Sequence, residues 1–153
     1  MYISYGKNLI NNYFQNSLLS NTVEGNITIK NYLSGLIAVD FFEEYIHIVY
    51  AGEYSPHLKY ITPTVGAQGQ LPFIIKNSVI MPYLNLLCGL EFSNLTDLNT
   101  EFIIKTGLGT RFLFPIAQNK LGLFLDTSVN AKIHTKDFTQ KDFALNVAAG
   151  LAF

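Results

Sequence analysis

Phe143-Ala144-Leu145-Asn146-Val147-Ala148-Ala149-Gly150-Leu151-Ala152-Phe153 decides the fold. Phe143, Leu145, Val147, Ala149, Leu151 and Phe153 fall on one face, with Ala144, Asn146, Ala148, Gly150 and Ala152 on the other. A period of two is the signature of a strand with two unlike faces. The preceding segment repeats it. From Leu121 to His134 the apolar face is Leu121, Leu123, Leu125, Thr127, Val129, Ala131 and Ile133. Gly122, Asp126, Ser128, Asn130, Lys132 and His134 share the other face, with Phe124 as the one large apolar intruder.

The alternation continues toward the N-terminus. Thr100–Phe114 sets Phe102, Ile104, Leu108, Phe112 and Phe114 against Glu101, Lys105, Gly107, Gly109 and Arg111. Val79–Phe92 sets Ile80, Leu84, Leu86, Cys88 and Leu90 against Tyr83, Asn85, Gly89 and Glu91. Leu58–Phe73, Tyr45–Tyr54 and Leu33–Phe42 read the same way with more noise. Each face was set by its apolar residues alone, so the charges test it. Asp40, Glu53, Glu91, Glu101, Lys105, Arg111, Asp126 and Lys132 all sort onto the polar face. Lys59, at a strand end, is the exception.

The polar face is also the small one, holding Gly66, Gly89, Gly107, Gly109, Gly122 and Gly150. A soluble sandwich or lipocalin has a bulky inward face and an outward face rich in Lys and Glu. Here the bulky face is nearly free of charge, and the other mixes small residues with opposite charges. That is the pattern expected when the outer solvent is lipid and the lumen is tight and polar. Segments of this length suit a bilayer, which takes about 9–11 tilted strand residues to span.

Composition agrees. Of 153 residues, 49% are hydrophobic and 14% charged, with a net charge of -1. This is one domain, 1–153, with neither the high charge of a disordered chain nor the basic excess of a nucleic-acid binder. The apolar residues never run long enough for a membrane helix, which needs about 20. Phe112–Ala117 is typical of the longest stretches. The single cysteine, Cys88, permits no intrachain disulfide and no zinc site, and on the apolar face it acts as a small hydrophobe.

Connections alternate in kind. Phe42–Tyr45, Phe73–Val79 and Phe114–Leu121 read as tight turns flanked by aromatics, as an interfacial girdle requires. Gly52–Leu58, Phe92–Thr100 and His134–Phe143 are polar and longer, and share the opposite end. Residues 1–21 are an N-terminal segment or part of a long first loop. Leu9, Ile10, Tyr13, Phe14 and Leu18 recur at helical spacing, so Asn8–Leu19 fits a short amphipathic helix. Counting Thr22–Lys30 as strand one gives eight strands. A rival count makes Tyr2–Tyr5 strand one and 6–31 a long loop. Asn8-Leu9-Ile10-Asn11-Asn12 is too polar for the apolar region of a secretion signal, so a barrel reading expects a signal ahead of Met1.

Leu145, Val147, Ala149, Leu151 and Phe153 resemble the C-terminal insertion signal of bacterial outer-membrane barrels, although that signal usually has an aromatic where Leu151 stands. Thr62-Pro63-Thr64-Val65-Gly66-Ala67, Pro82-Tyr83-Leu84-Asn85 and Leu121-Gly122-Leu123-Phe124-Leu125-Asp126 are similar to strands of the opacity/adhesion-type small outer-membrane barrel family. The resemblance covers about residues 33–153 and rests on pattern. It implies an all-β, eight-stranded antiparallel transmembrane barrel at the bacterial cell surface, with outer-membrane lipid and the barrel-insertion machinery as partners. It carries no active site and no cofactor.

The remaining chemistry is sparse. Arg111 and Asp126 flank one hairpin on the lumen face, and Lys105, Lys132 and Glu101 extend a charge network. An ion gate is one reading. A structural salt bridge weighs more, because an eight-stranded lumen is just wide enough for side chains to fill. Glu91 and Glu101 face each other across a loop and read as solvated charges rather than a cation site. His47, His57 and His134 lie apart, and Ser128 is too far from His134 for a hydrolase or acyltransferase centre. The expectation is a non-enzymatic, monomeric barrel with a structural or surface-interaction role. A membrane-embedded lipid-modifying enzyme and a soluble lipocalin-like carrier are the alternatives.

Overall fold

The computed structural model describes residues 1–11, 17–45, 60–95, 97–117, 121–136 and 141–153. The strands are β1 (Tyr2–Asn11), β2 (Ser17–Lys30), β3 (Leu33–Tyr45), β4 (Tyr60–Gln70), β5 (Phe73–Ile75), β6 (Ser78–Leu95), β7 (Asp97–Ala117), β8 (Leu121–His134) and β9 (Lys141–Ala152). Sequence neighbours other than β4 and β5 pair antiparallel, β1 also pairs with β9, and β4 pairs with β6. The sheet therefore closes on itself. The short β5 continues β4 along the same neighbour, since Gln70 opposes Tyr83 and Phe73 opposes Ile80. Pro72, which has no N–H to donate, lies in the break. The wall thus has eight strands, and no helix occurs among the described residues.

Side chains sort as the alternation requires. On β8, Gly122, Phe124, Asp126, Ser128 and Asn130 are buried, while Leu123, Leu125, Thr127 and Val129 are exposed. Leu108 is 66% exposed and Ile37 61%, whereas Arg111 is 3% exposed and Asp126 3%. Apolar residues outside and charges inside invert the soluble pattern. Exposed Tyr32, Phe73, Phe114 and Phe153 ring the end that holds the termini, and exposed Phe102 and Phe143 lie toward the other. Phe153 N–H donates to the Met1 carbonyl at 2.9 Å, so the two ends of the chain meet.

The N-terminal third departs from the sequence reading. Asn8–Asn11 and Ser17–Leu19 are strand, not helix, and residues 12–16 lie outside the described residues. The reason is pairing. β1 bonds β2 on one side and β9 on the other, so a helix there would leave two strand edges unpaired. Strand one is Tyr2–Asn11, longer than the Tyr2–Tyr5 remnant, and Thr22–Lys30 belongs to the second strand. Of the expected strand Tyr45–Tyr54, Tyr45 ends β3, which pairs directly with β4. Residues 46–59 lie outside the described residues. Glu43–Glu44 is no turn, since Glu44 opposes Leu19 within β3; the turn on the terminal side is Asn31–Tyr32. Lys76–Asn77 is a turn as expected, with Lys76 at φ 54°. Phe92–Thr100 is not a loop either, as β6 and β7 pair up to Leu95 and Asp97.

Candidate functional site in the barrel lumen

The lumen charges stack in three levels, each built across strands far apart in sequence. Nearest the termini, Arg111 and Asp126 are direct partners on β7 and β8, with Nη2 2.7 Å from Oδ2. Glu24 of β2 lies 3.6 Å from the same guanidinium nitrogen. The guanidinium carbon sits 3.8 Å from the Tyr2 ring centre and 4.9 Å from that of Phe124, a cation–π arrangement. The Tyr2 and Phe124 rings meet edge to face at 5.0 Å. The Tyr2 hydroxyl donates to Glu24, and the Tyr83 hydroxyl donates to Asp126 at 2.6 Å. Two carboxylates, one cation and three rings therefore form one plug.

The middle level solves a like-charge conflict. Lys105 and Lys132 are direct cross-strand partners on β7 and β8, where like charges repel. They turn apart. Lys105 reaches across the lumen to Asp40 of β3 at 2.9 Å, and the Thr22 hydroxyl donates to the same carboxylate. Lys132 instead goes to Glu91 of β6 at 2.6 Å and lies 3.4 Å from Asp142 of β9.

The level farthest from the termini repeats the solution with acids. Glu91 and Glu101 oppose each other on β6 and β7. Glu91 takes Lys132, while Glu101 lies 3.1 Å from His134 Nδ1 and accepts the Lys136 backbone N–H at 3.0 Å. His134 Nε2 faces Asp142 at 3.0 Å. The side chains of Glu91 and Glu101 are 13% and 20% exposed, so they are paired and largely covered rather than freely solvated. The carboxylates flanking His134 approach opposite nitrogens and cannot converge on one metal ion. Both ring nitrogens are engaged, leaving neither to activate a hydroxyl. Ser128 is occupied with Asn130, whose Nδ2 donates to it at 3.2 Å. His47 and His57 lie outside the described residues.

Arg111 and Asp126 thus stand together, while Lys105, Lys132 and Glu101 belong to other levels. Glu24, Asp40, Asp142, His134 and the two tyrosines complete the levels. Sequence reading placed Asp40 on the polar face, but its partner lies across the barrel, beyond any local spacing. Tyr2 was hidden in the uncertain first segment.

Between the first two levels is a cavity of about 20 Å³, lined by polar groups including Ser4, Asn85, Asn130 and Asn146. That is room for about one water molecule. At the terminal end the barrel opens into a hollow of about 640 Å³ among Ile74, Val79, Leu113, Leu121 and Phe153. The arrangement can neutralise charge and block passage.

Solved structures share this fold. Neisserial surface protein A matches with a TM-score of 0.64 at 13% identity, covering 99% of this chain and 95% of that one. Ail, the attachment invasion locus protein of Yersinia pestis, matches at 0.51 and 12% identity, covering 99% and 95%. The N-terminal β-barrel domain of Pseudomonas aeruginosa OprF matches at 0.52 and 7% identity, covering 99% and 97%. No protein-family model and no curated protein sequence matches the chain.

Proposed function

We propose that this chain is an integral β-barrel of a bacterial outer membrane with a structural or surface-interaction role, neither an enzyme nor a general porin. One observation carries the reading: a closed eight-stranded wall, apolar outside, around a lumen plugged by paired charges. Porins with aqueous channels need about 16–18 strands. The surface role draws support from the fold neighbours, two of which are described as a surface protein and an attachment protein.

The orientation follows from the proposed insertion signal. Leu145, Val147, Ala149 and Leu151 on β9 are exposed, as is Phe153 just after it, where lipid and the insertion machinery would meet them. With Phe153 on the periplasmic side, the termini, Asn31–Tyr32 and Lys76–Asn77 face inward. The opposite ends of β3, β4, β8 and β9 then face the exterior. The barrel works as a monomer, with outer-membrane lipid as its solvent.

Planar bilayers test the plug. Purified protein should give no large steady conductance, should require detergent for extraction, and should leave lipid composition unchanged on expression. A steady porin-sized current would overturn the reading. A changed lipid composition would point to the enzyme alternative, and solubility without detergent to the carrier.

Phe153→Ala tests the signal. Assembled, heat-modifiable barrel in cells should fall severalfold, while refolding of the purified variant into detergent stays near wild type. Equal loss in both assays would make Phe153 a packing residue instead.

A further inference from the structure

The outer wall carries one polar patch that the lumen does not explain. Lys7 and Asn21 are direct partners on β1 and β2, and Tyr5 lies one outward position before Lys7 on β1. Lys7 and Tyr5 are exposed. Between the aromatic ends, among the described residues, Lys7 is the exposed charge on that wall. The Tyr5 hydroxyl donates to Asn21 Oδ1 at 2.6 Å. Asn21 is only 1% exposed, yet its Nδ2 has no hydrogen-bond partner.

The patch therefore has surplus donors. Its one side-chain carbonyl already accepts from Tyr5. Among the described residues, no acceptor stands against the Lys7 ammonium or the buried amide nitrogen. A lysine on a lipid-facing wall is disfavoured most at the bilayer midplane and little near the interface. Lys7 opposes Val147 on β9, and outward-facing Phe143 stands two outward positions further along that strand. This is roughly 13 Å along a tilted strand. A lysine stem can carry its charge over part of that depth. Phe153, at the other aromatic end, stands three outward positions away, so Lys7 lies just beyond the middle of the wall, and a headgroup meets both donors where the leaflet opposite the termini thins over the patch.

We propose that Lys7 and Asn21, with Tyr5 orienting the amide, form a binding site for the phosphate of a lipid headgroup on the outer wall of the barrel. Phosphate oxygens supply the acceptors the patch lacks, and charge-assisted bonds to them are the stronger kind. Lys7 turns to the phosphate, and Asn21 Nδ2 donates to it from the neighbouring strand. The inference rests on the membrane reading above.

The test uses the full chain in phosphatidylcholine nanodiscs doped with phosphatidic acid or with diacylglycerol of the same acyl chains. Bound lipid is counted by native mass spectrometry. Wild type should retain phosphatidic acid over diacylglycerol, and Lys7→Gln should weaken that retention about tenfold, the size of one charged hydrogen bond. Lys76→Gln, at the opposite end, should leave it unchanged. Asn21→Asp places an acceptor beside Lys7 and should also abolish the preference while the barrel stays heat-modifiable, so the idea remains testable should Lys7→Gln fold poorly. Equal retention of the two lipids, or equal losses for Lys7→Gln and Lys76→Gln, would overturn the site while leaving the membrane reading intact. Failure of the wild type to enter nanodiscs would overturn the membrane reading, and the site with it.

Discussion

Replacing Arg111 with Ala should cost about 3–5 kcal/mol of barrel stability, the usual penalty for breaking a buried ion pair by removing one partner. The loss has two sources. Asp126 and Glu24 would face each other in a closed lumen without their shared cation. The Tyr2 and Phe124 rings would lose the guanidinium packed against both. Urea unfolding in detergent micelles reads the change as a lower midpoint with the slope preserved. The two sources can be separated. Arg111→Met combined with Asp126→Asn and Glu24→Gln removes the charges together and keeps an apolar stem. It should recover a large part of the loss, because replacing a whole buried ion pair is often nearly neutral. An Arg111→Ala midpoint indistinguishable from wild type would mean that water fills the lumen and screens the carboxylates.

Gly66→Val should prevent formation of the folded barrel, read as absence of the heat-modifiable band after refolding. The β4–β6 seam is where the wall closes, and both of its central glycines sit against opposing backbone. A Cβ on Gly66 would overlap the Leu86 carbonyl oxygen and lie 2.7 Å from Leu87 Cα. A Cβ on Gly89 would overlap the Pro63 carbonyl oxygen and lie 2.9 Å from Thr64 Cα. Flexible side chains can yield to such crowding, but paired backbone yields only by opening the seam. The cost should therefore reach or exceed the top of the usual overpacking range of about 1–3 kcal/mol. Gly69 on the same strand is the control, since a Cβ there meets nothing within 4 Å. Gly69→Ala should refold like wild type. Normal refolding of Gly66→Val would show that the seam is looser than this geometry.

The two variants differ in how visible their sites were. Arg111 and Asp126 could be paired from sequence because one hairpin joins their strands and a two-residue period places both on its inner face. The Gly66 contact could not be read so, because β4 and β6 meet only after the chain passes Pro72 and turns at Lys76–Asn77. Lys105 shows the same limit. Its nearest cross-strand neighbour is Lys132, a repulsive pair, and its carboxylate comes from Asp40 on a strand outside that hairpin. Only closure of the wall sets which inner residues face each other across the lumen.

The amino-acid sequence by itself determined the alternation of the wall strands and which face turns outward. These are local properties, set by the two-residue period of a strand and by segregation of charge from bulky apolar groups. It did not determine where the first strand begins. Over Asn8–Leu19 helical spacing and strand alternation compete, and backbone pairing decides between them. Tertiary structure alone decided that β1 fills the gap between β2 and β9, that like charges separate to partners on different strands, and that Lys7 and Asn21 share the outer wall. Each depends on register around a closed sheet, and register is a relation between strands that no single strand contains.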